Sequence, residues 1–216
     1  MKHERRRAAV YLAVQICLIV FTVIPLSFLL FFPERPDEGV QTVVIRYYTT
    51  LSNVAAALAA IPAAIFAVRA LSGKSGRLPR WLLICRFLAT SMLTLTMMTV
   101  LCFLGPIYGY GEMYTGVNFW FHLINPVLSV TAFLFLETET AIPFKAAPLG
   151  IVPTVLYGLV YVREVVFVGT WPDFYSLNPG GRWVVSVLAM LFADLLLSAL
   201  LLLARGKPPE ESEKTV

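Results

Sequence analysis

Six long apolar runs fill most of this chain, at about 9–32, 47–70, 82–104, 118–136, 148–168 and 182–204, and they leave it few ways to fold. Each is about 18 to 25 residues long, enough at roughly 1.5 Å per residue to cross a hydrocarbon core of about 30 Å as a helix. Strands of a membrane barrel alternate polar and apolar residues over about ten positions. A run such as WVVSVLAMLFADLLLSALLLLA is apolar on every side, and a bilayer core offers no water to satisfy an open sheet edge. Composition agrees: 58% hydrophobic and 14% charged residues, against roughly half and a quarter in soluble domains. The expected fold class is all-α: a polytopic membrane protein, with a six-helix transmembrane bundle over residues 1–205 and a disordered polar tail, GKPPEESEKTV, over 206–216.

Lys and Arg near helix ends stay on the cytoplasmic side, so their distribution orients the bundle. Lys2, Arg5, Arg6 and Arg7 precede the first run. Six crossings put both termini on one face, where Lys74, Arg77, Arg80, Arg205, Lys207 and Lys214 join them, while Arg35, Arg46 and Arg182 lie opposite. This predicts cytoplasmic termini in a plasma-membrane protein, with the loops around 33–46, 105–117 and 169–181 outside. The net charge of +4 then reflects topology and not a nucleic-acid partner. The run after KHERRR exceeds a signal-peptide core and lacks a small-residue cleavage pattern, so it reads as a retained signal anchor. Cys17, Cys85 and Cys102 fall inside helices at no metal-ligand spacing and read as packing residues. There is no phosphate-cradling glycine loop, no G-x-S-x-G and no H-E-x-x-H, and nothing in the sequence calls for a metal or cofactor.

Depth along the helices sorts the remaining polar residues. Thr49 falls about 4 to 5 Å below the outer surface on the second helix, and His122 about 6 Å below it on the fourth, with Asn125 and Pro126 one turn on. Arg163 and Glu164 precede the outer end of the fifth helix by one to two turns, and Thr96 and Thr99 on the third reach the same level. Ionisable groups in hydrocarbon must face protein or water, so these residues are expected to point inward around a small polar pocket. Arg163 and Glu164 diverge by roughly 100° on a helix, and each is expected to find a partner on another helix. Each residue also has an ordinary reading: a Thr bonding its own preceding carbonyl, an Asn joining two helices, an interfacial His. Arg86 sits one turn inside the cytoplasmic face, where it can snorkel to lipid phosphate. Asp194, in the middle of the sixth helix, is either protonated or paired inside the bundle, for function or for packing registry. The small-residue face AAALAAIPAA lets another helix approach the second closely, and Pro62 offers a kink.

RYYTTLSN at the outer start of the second helix and FHLINP at that of the fourth, together with six spans, resemble the bacterial relatives of the androgen-induced membrane threonine hydrolases. The matching positions are Arg46, Tyr47, Thr49, Ser52 and Asn53, then His122 and Pro126, and the resemblance covers nearly the whole chain. WPDFY in the last outer loop departs from the Y-P-F-x-D order of that family. The resemblance implies hydrolysis of lipid esters, notably fatty acid esters of hydroxy fatty acids, with a threonine nucleophile and a histidine base. By position these are Thr49, with Thr50 as a competitor, and His122. Imidazole activation of a hydroxyl for attack on an ester carbonyl is coherent chemistry. Tyr48, Asn53, Asn125 or backbone amides are candidate oxyanion donors, and Thr99, Arg163 and Glu164 further pocket residues. Membrane lipid, arriving sideways from the outer leaflet, is the implied partner. Two other readings stay open. Six helices with small residues at spacing four, as Ala55 and Ala59, also suit the solute-capturing subunits of energy-coupling-factor transporters, and a structural membrane protein would use its polar residues only for helix association. The oligomeric state is not readable from the sequence.

Overall fold

A computed structural model describes residues 2–31, 44 and 46–205 of the chain. The regular structure in these residues is helical, and six helices are long and apolar enough to cross a membrane. They are α1 (Lys2–Phe31), α2 (Tyr48–Leu71), α3 (Arg80–Tyr108), α4 (Gly116–Leu136), α5 (Phe144–Val168) and α6 (Trp183–Ala204). The six predicted runs are therefore present. Some ends lie further out than predicted, since a helix can run past its apolar stretch: α1 begins in the basic segment and α3 continues to Tyr108. The expected tail and most of the loop around 33–46 lie outside the described residues.

Hydrogen bonds fix two faces of the bundle. Arg7 near the start of α1 donates to the Leu136 carbonyl at 3.0 Å, and Arg205 just after α6 donates to the carbonyls of Glu137 and Thr140. The chain after α4 thus lies beside both ends of the polypeptide, at what we term the proximal face. At the distal face the first amide of α2, Tyr48 N–H, donates to the Tyr175 hydroxyl in the α5–α6 connection at 2.8 Å.

The helices are apolar all round, so the polar and small residues decide which side turns inward. In α1 the buried positions are Tyr11, Gln15, Leu18, Thr22 and Pro25, a stripe spaced by three and four. In α2, Ala56, Ala57, Ala59, Ala60, Ala63 and Ala67 are buried and let α1 and α3 come close, Ala56 packing on Ala89 and Leu93 of α3, while Leu58 and Ile65 face outward as lipid-side residues do. The small-residue face therefore serves packing. Helix α3 is central: 61% of its most apolar stretch is buried, against 17% for α5 and for α6. Helices α2 and α4 pack against α3, with α1 packed against those two, and the α5–α6 pair packs against α3 apart from them. The larger apolar core sits toward the proximal face, where Phe87 of α3 meets Phe133 of α4 with ring centroids 5.8 Å apart.

Arg86 departs from its expected place in lipid headgroups. Its side chain is fully buried and its Nε donates to Glu137 Oε1 at 2.8 Å, an ion pair in which both partners are 0% exposed. Glu137 supplies the reason. It follows α4, reaches back into the bundle, and also accepts a 3.0 Å hydrogen bond from the Tyr11 hydroxyl, so the guanidinium finds its counter-charge inside protein. Cys17, Cys85 and Cys102 form no disulfide; Cys85 and Cys102 are exposed on the helix surface and so do not pack into the core.

Candidate functional site

A cavity of about 60 Å³, room for a few waters, opens between α2, α3, α5, α6 and the α5–α6 connection at the distal end of the bundle. Its apolar wall comes from residues such as Leu95, Val100, Leu104, Met190 and Leu191. Its polar groups are almost all hydroxyls: Tyr48 and Thr49 from α2, Thr96 and Thr99 from α3, Thr154, Tyr157 and Tyr161 from α5, and Tyr175 from the connection.

The first turn of α2 places Tyr48 and Thr49 on this wall, whereas Thr50 is buried and is not part of it. Helical spacing explains the difference, since successive residues diverge by about 100°. Thr49 also contacts the Tyr175 hydroxyl, and burial pushes the Tyr175 phenol up to about 12. Tyr175 belongs to the WPDFY segment that stood out in the sequence. There Asp173 ties the loop together, accepting from the Tyr161 hydroxyl at 2.7 Å and from the amides of Leu177 and Asn178 at 2.9 and 2.7 Å. Phe174 packs edge-on against Tyr161 and Tyr175, and the Arg46 guanidinium lies 5.7 Å from the centre of the Trp171 ring. The WPDFY segment thus folds as a cap at one end of the cavity, and the Tyr157 hydroxyl of α5, donating to the Arg46 carbonyl at 2.5 Å, holds the residue that lies against the cap's Trp171 ring.

His122 occupies a π-helical turn, Trp120–Ile124, within α4 and is buried. Its Nδ1 lies 2.8 Å from the Met113 carbonyl oxygen. A carbonyl only accepts, so Nδ1 carries the hydrogen and Nε2 presents a lone pair. His122 is not part of the cavity wall. Helices α2 and α4 are nevertheless neighbours at this level: the Asn53 side-chain amide donates to the carbonyls of Thr49 at 2.8 Å and Phe121 at 3.2 Å. The Asn125 amide in turn donates to Asn53 Oδ1 at 2.8 Å and to the Phe21 carbonyl and Thr22 hydroxyl of α1 at 3.1 and 3.2 Å. The side-chain amides of both asparagines are therefore engaged, Asn53 bonding its own helix as well as α4 and Asn125 bonding α1 and α2. Thr99 does line the cavity.

Arg163 and Glu164 do not seek partners on other helices as expected. They pair with each other, and the Glu164 carboxylate also accepts from the Thr170 hydroxyl. The chain makes this possible by ending α5 in a π-helical turn, Arg163–Val168, and reversing at Gly169, whose φ of 73° lies in the left-handed region where glycine is at ease. The reversal brings Thr170 back over Glu164 and leaves Arg163 largely exposed at the distal rim.

Sequence reasoning missed what α5 contributes. Thr154, Tyr157 and Tyr161 recur at spacings of three and four on an otherwise apolar helix, and that pattern alone marks one inward polar face. Thr154 links two residues already noticed: its Oγ1 donates to Asp194 Oδ2 at 2.5 Å and lies 2.7 Å from the Tyr48 hydroxyl. Asp194 is 0% exposed, with the Thr154 hydroxyl as hydrogen-bond donor and no ion pair among the described residues. Among the described residues no cluster of His, Cys, Asp or Glu has the makings of a metal site. The chain matches no protein-family model, no curated protein and no solved structure.

Proposed function

We propose that this protein is an integral-membrane hydrolase of long-chain lipid esters, with the distal cavity as its site and Thr49 as its nucleophile. The observation that carries this reading is the position of Thr49 among the hydroxyls of a cavity whose remaining wall is apolar, beside the distal cap. An ester carbonyl at headgroup depth reaches such a wall while its acyl chain lies along the helices in lipid. His122 supports the reading through its tautomer: with Nδ1–H held by the Met113 carbonyl, Nε2 is the basic nitrogen. In the proposed cycle Thr49 Oγ1 attacks the carbonyl carbon and its proton passes through a water to His122 Nε2. The tetrahedral intermediate collapses to a threonyl ester, expelling the alcohol, which takes that proton. Water activated by the same nitrogen then releases the fatty acid and restores Thr49. With the asparagine amides engaged elsewhere, the hydroxyls of Tyr48 and Tyr175, which share the cavity wall with Thr49, are the proposed donors to a developing oxyanion. The distribution of Lys and Arg supports placing the proximal face in the cytoplasm and the cavity toward the outer leaflet of the plasma membrane.

The test is turnover of a long-chain ester by purified protein in lipid nanodiscs. Thr49→Ala and His122→Ala should each reduce it by about 100-fold or more while leaving the yield of folded, monodisperse protein unchanged. Turnover that survives either substitution removes the mechanism. The place of His122 outside the cavity wall favours a second reading, a small-solute binding or transport subunit. In that case Thr49→Ala weakens solute binding, His122→Ala does not, no product forms, and cytoplasmic partner subunits copurify.

A further inference from the structure

Asp194 is not used by the mechanism above, yet it is joined to the cavity. The carboxyl group lies in the middle of α6, is 0% exposed, and forms no ion pair among the described residues. Its Oδ2 accepts from Thr154 at 2.5 Å, while Oδ1 is buried without a hydrogen-bond partner. Thr154 Oγ1 lies 2.7 Å from the Tyr48 hydroxyl, and both Thr154 and Tyr48 are on the cavity wall. The result is a three-member chain, Tyr48–Thr154–Asp194, crossing from α2 through α5 to α6. The groups around it are few. Helix α2 offers Tyr48, α5 offers Thr154 and Tyr157, the connection offers Tyr175, which bonds the Tyr48 amide, and α3 offers the uncharged Ser91, bonded to Ser198 one turn from Asp194. The buried arginine of α3, Arg86, is paired with Glu137, and Arg205 is engaged by the chain after α4.

A hydroxyl has one hydrogen to give, so the direction of this chain depends on its carboxyl end. When Asp194 is ionised it can only accept: Thr154 donates to it, Tyr48 donates to Thr154, and the Tyr48 oxygen turns lone pairs toward the cavity. When Asp194 is protonated on Oδ2 it can donate to Thr154, Thr154 to Tyr48, and the Tyr48 hydrogen is released to the cavity. We propose that Asp194 is a proton-binding site that sets, through Thr154, whether Tyr48 offers the cavity a hydrogen or a lone pair. The ligand group it selects is a carbonyl or other oxyanion-forming acceptor in the protonated state, and a donor in the ionised state. This inference goes beyond the hydrolase reading and does not require it. If that reading holds, Tyr48 serves as an oxyanion donor only while Asp194 carries its proton.

The experiment is an infrared pH titration of the full-length protein in nanodiscs without added ligand, following the carbonyl stretch of protonated carboxyl groups from about pH 4 to about pH 10. One buried band should titrate in this range and be missing in Asp194→Asn. Thr154→Val, which removes the direct donor, should displace its midpoint by about one pH unit, and Tyr48→Phe, which does not touch Asp194, should displace it by a few tenths. Size-exclusion profiles check that each variant folds, and Thr154→Ser, which keeps the relay with minimal change in packing, should retain the native midpoint. The proposal is overturned if no band titrates with Asp194, or if Tyr48→Phe leaves the midpoint where it was. Loss of ester turnover plays no part in this reading, so its failure and that of the hydrolase proposal are separable.

Discussion

Individual residues in this protein are placed by the partners they find, and two cases, an ion pair and a tyrosine, make the point with measurable consequences. Arg86 and Glu137 are both 0% exposed and joined at 2.8 Å. Removing one partner strands a charge in a low-dielectric interior, so Arg86→Met should destabilise the protein by about 3 to 5 kcal/mol. Combining it with Glu137→Leu removes the stranded charge and should recover most of that loss; thermal unfolding in detergent reads both, and a double variant no better than the single one would sink the account. Tyr175 has a folded-state phenol pushed up to about 12, because burial disfavours the phenolate, against about 10 in an unfolded chain. The neutral form is the one stabilised, so its contribution to stability is complete below about pH 10 and is lost as pH rises from about 10 to about 12. An ultraviolet tyrosinate titration should show a late step that Tyr175→Phe abolishes; Tyr175→Phe with the late step intact would assign it elsewhere.

At the scale of helices, close approach is controlled by small residues at particular heights. A Cβ added at Gly150 would overlap Ser198 of α6 and press on Ser91 of α3, so the glycine sets how tightly the α5–α6 pair sits on the central helix. Gly150→Val should destabilise the fold by about 1 to 3 kcal/mol and spread Thr154 from Asp194, one turn further on. Gly158, on the same helix, has nothing within 4 Å of the added position, and Gly158→Ala should leave thermal stability unchanged. Equal losses for the two would show that helix propensity and not clearance governs α5. Helices α3 and α5 each carry a π-helical turn toward the distal end and α4 carries one toward each end, the distal one holding His122. A local extra residue rotates the side chains beyond it, which is why counting turns along the sequence gives the height of His122 but not the direction in which it points.

For the molecule as a whole, the termini and the chain after α4 mark one face and the Tyr175 cap marks the other. The proximal side collects most of the basic residues, and the positive-inside rule predicts that this face meets the cytoplasm. In a variant lacking the three native cysteines, Glu112→Cys in the distal connection should react with an impermeant maleimide on intact cells, and Ser75→Cys only after permeabilisation. The reverse pattern would invert the assigned orientation and put the cavity on the cytoplasmic side.

The sequence alone determined the six helices, because the bilayer leaves long apolar runs no alternative that satisfies their backbone groups. It also picked out Tyr48, Thr49 and Thr99, which meet at the cavity, since polar residues in apolar helices are few and their heights are simple to count. It had no means to show which polar residues share a wall. The helices are apolar on all sides, so no hydrophobic face announces the inward direction, and one helix height is compatible with many rotations. Tertiary structure therefore decided that Arg86 turns to Glu137 and not to lipid, that Arg163 and Glu164 close on each other at a chain reversal, that the asparagines spend their amides between helices, and that Thr154 couples Tyr48 to Asp194. Each of these outcomes rests on a pairing between residues far apart in the chain or on the path of a loop, and such pairings exist only once the helices have packed.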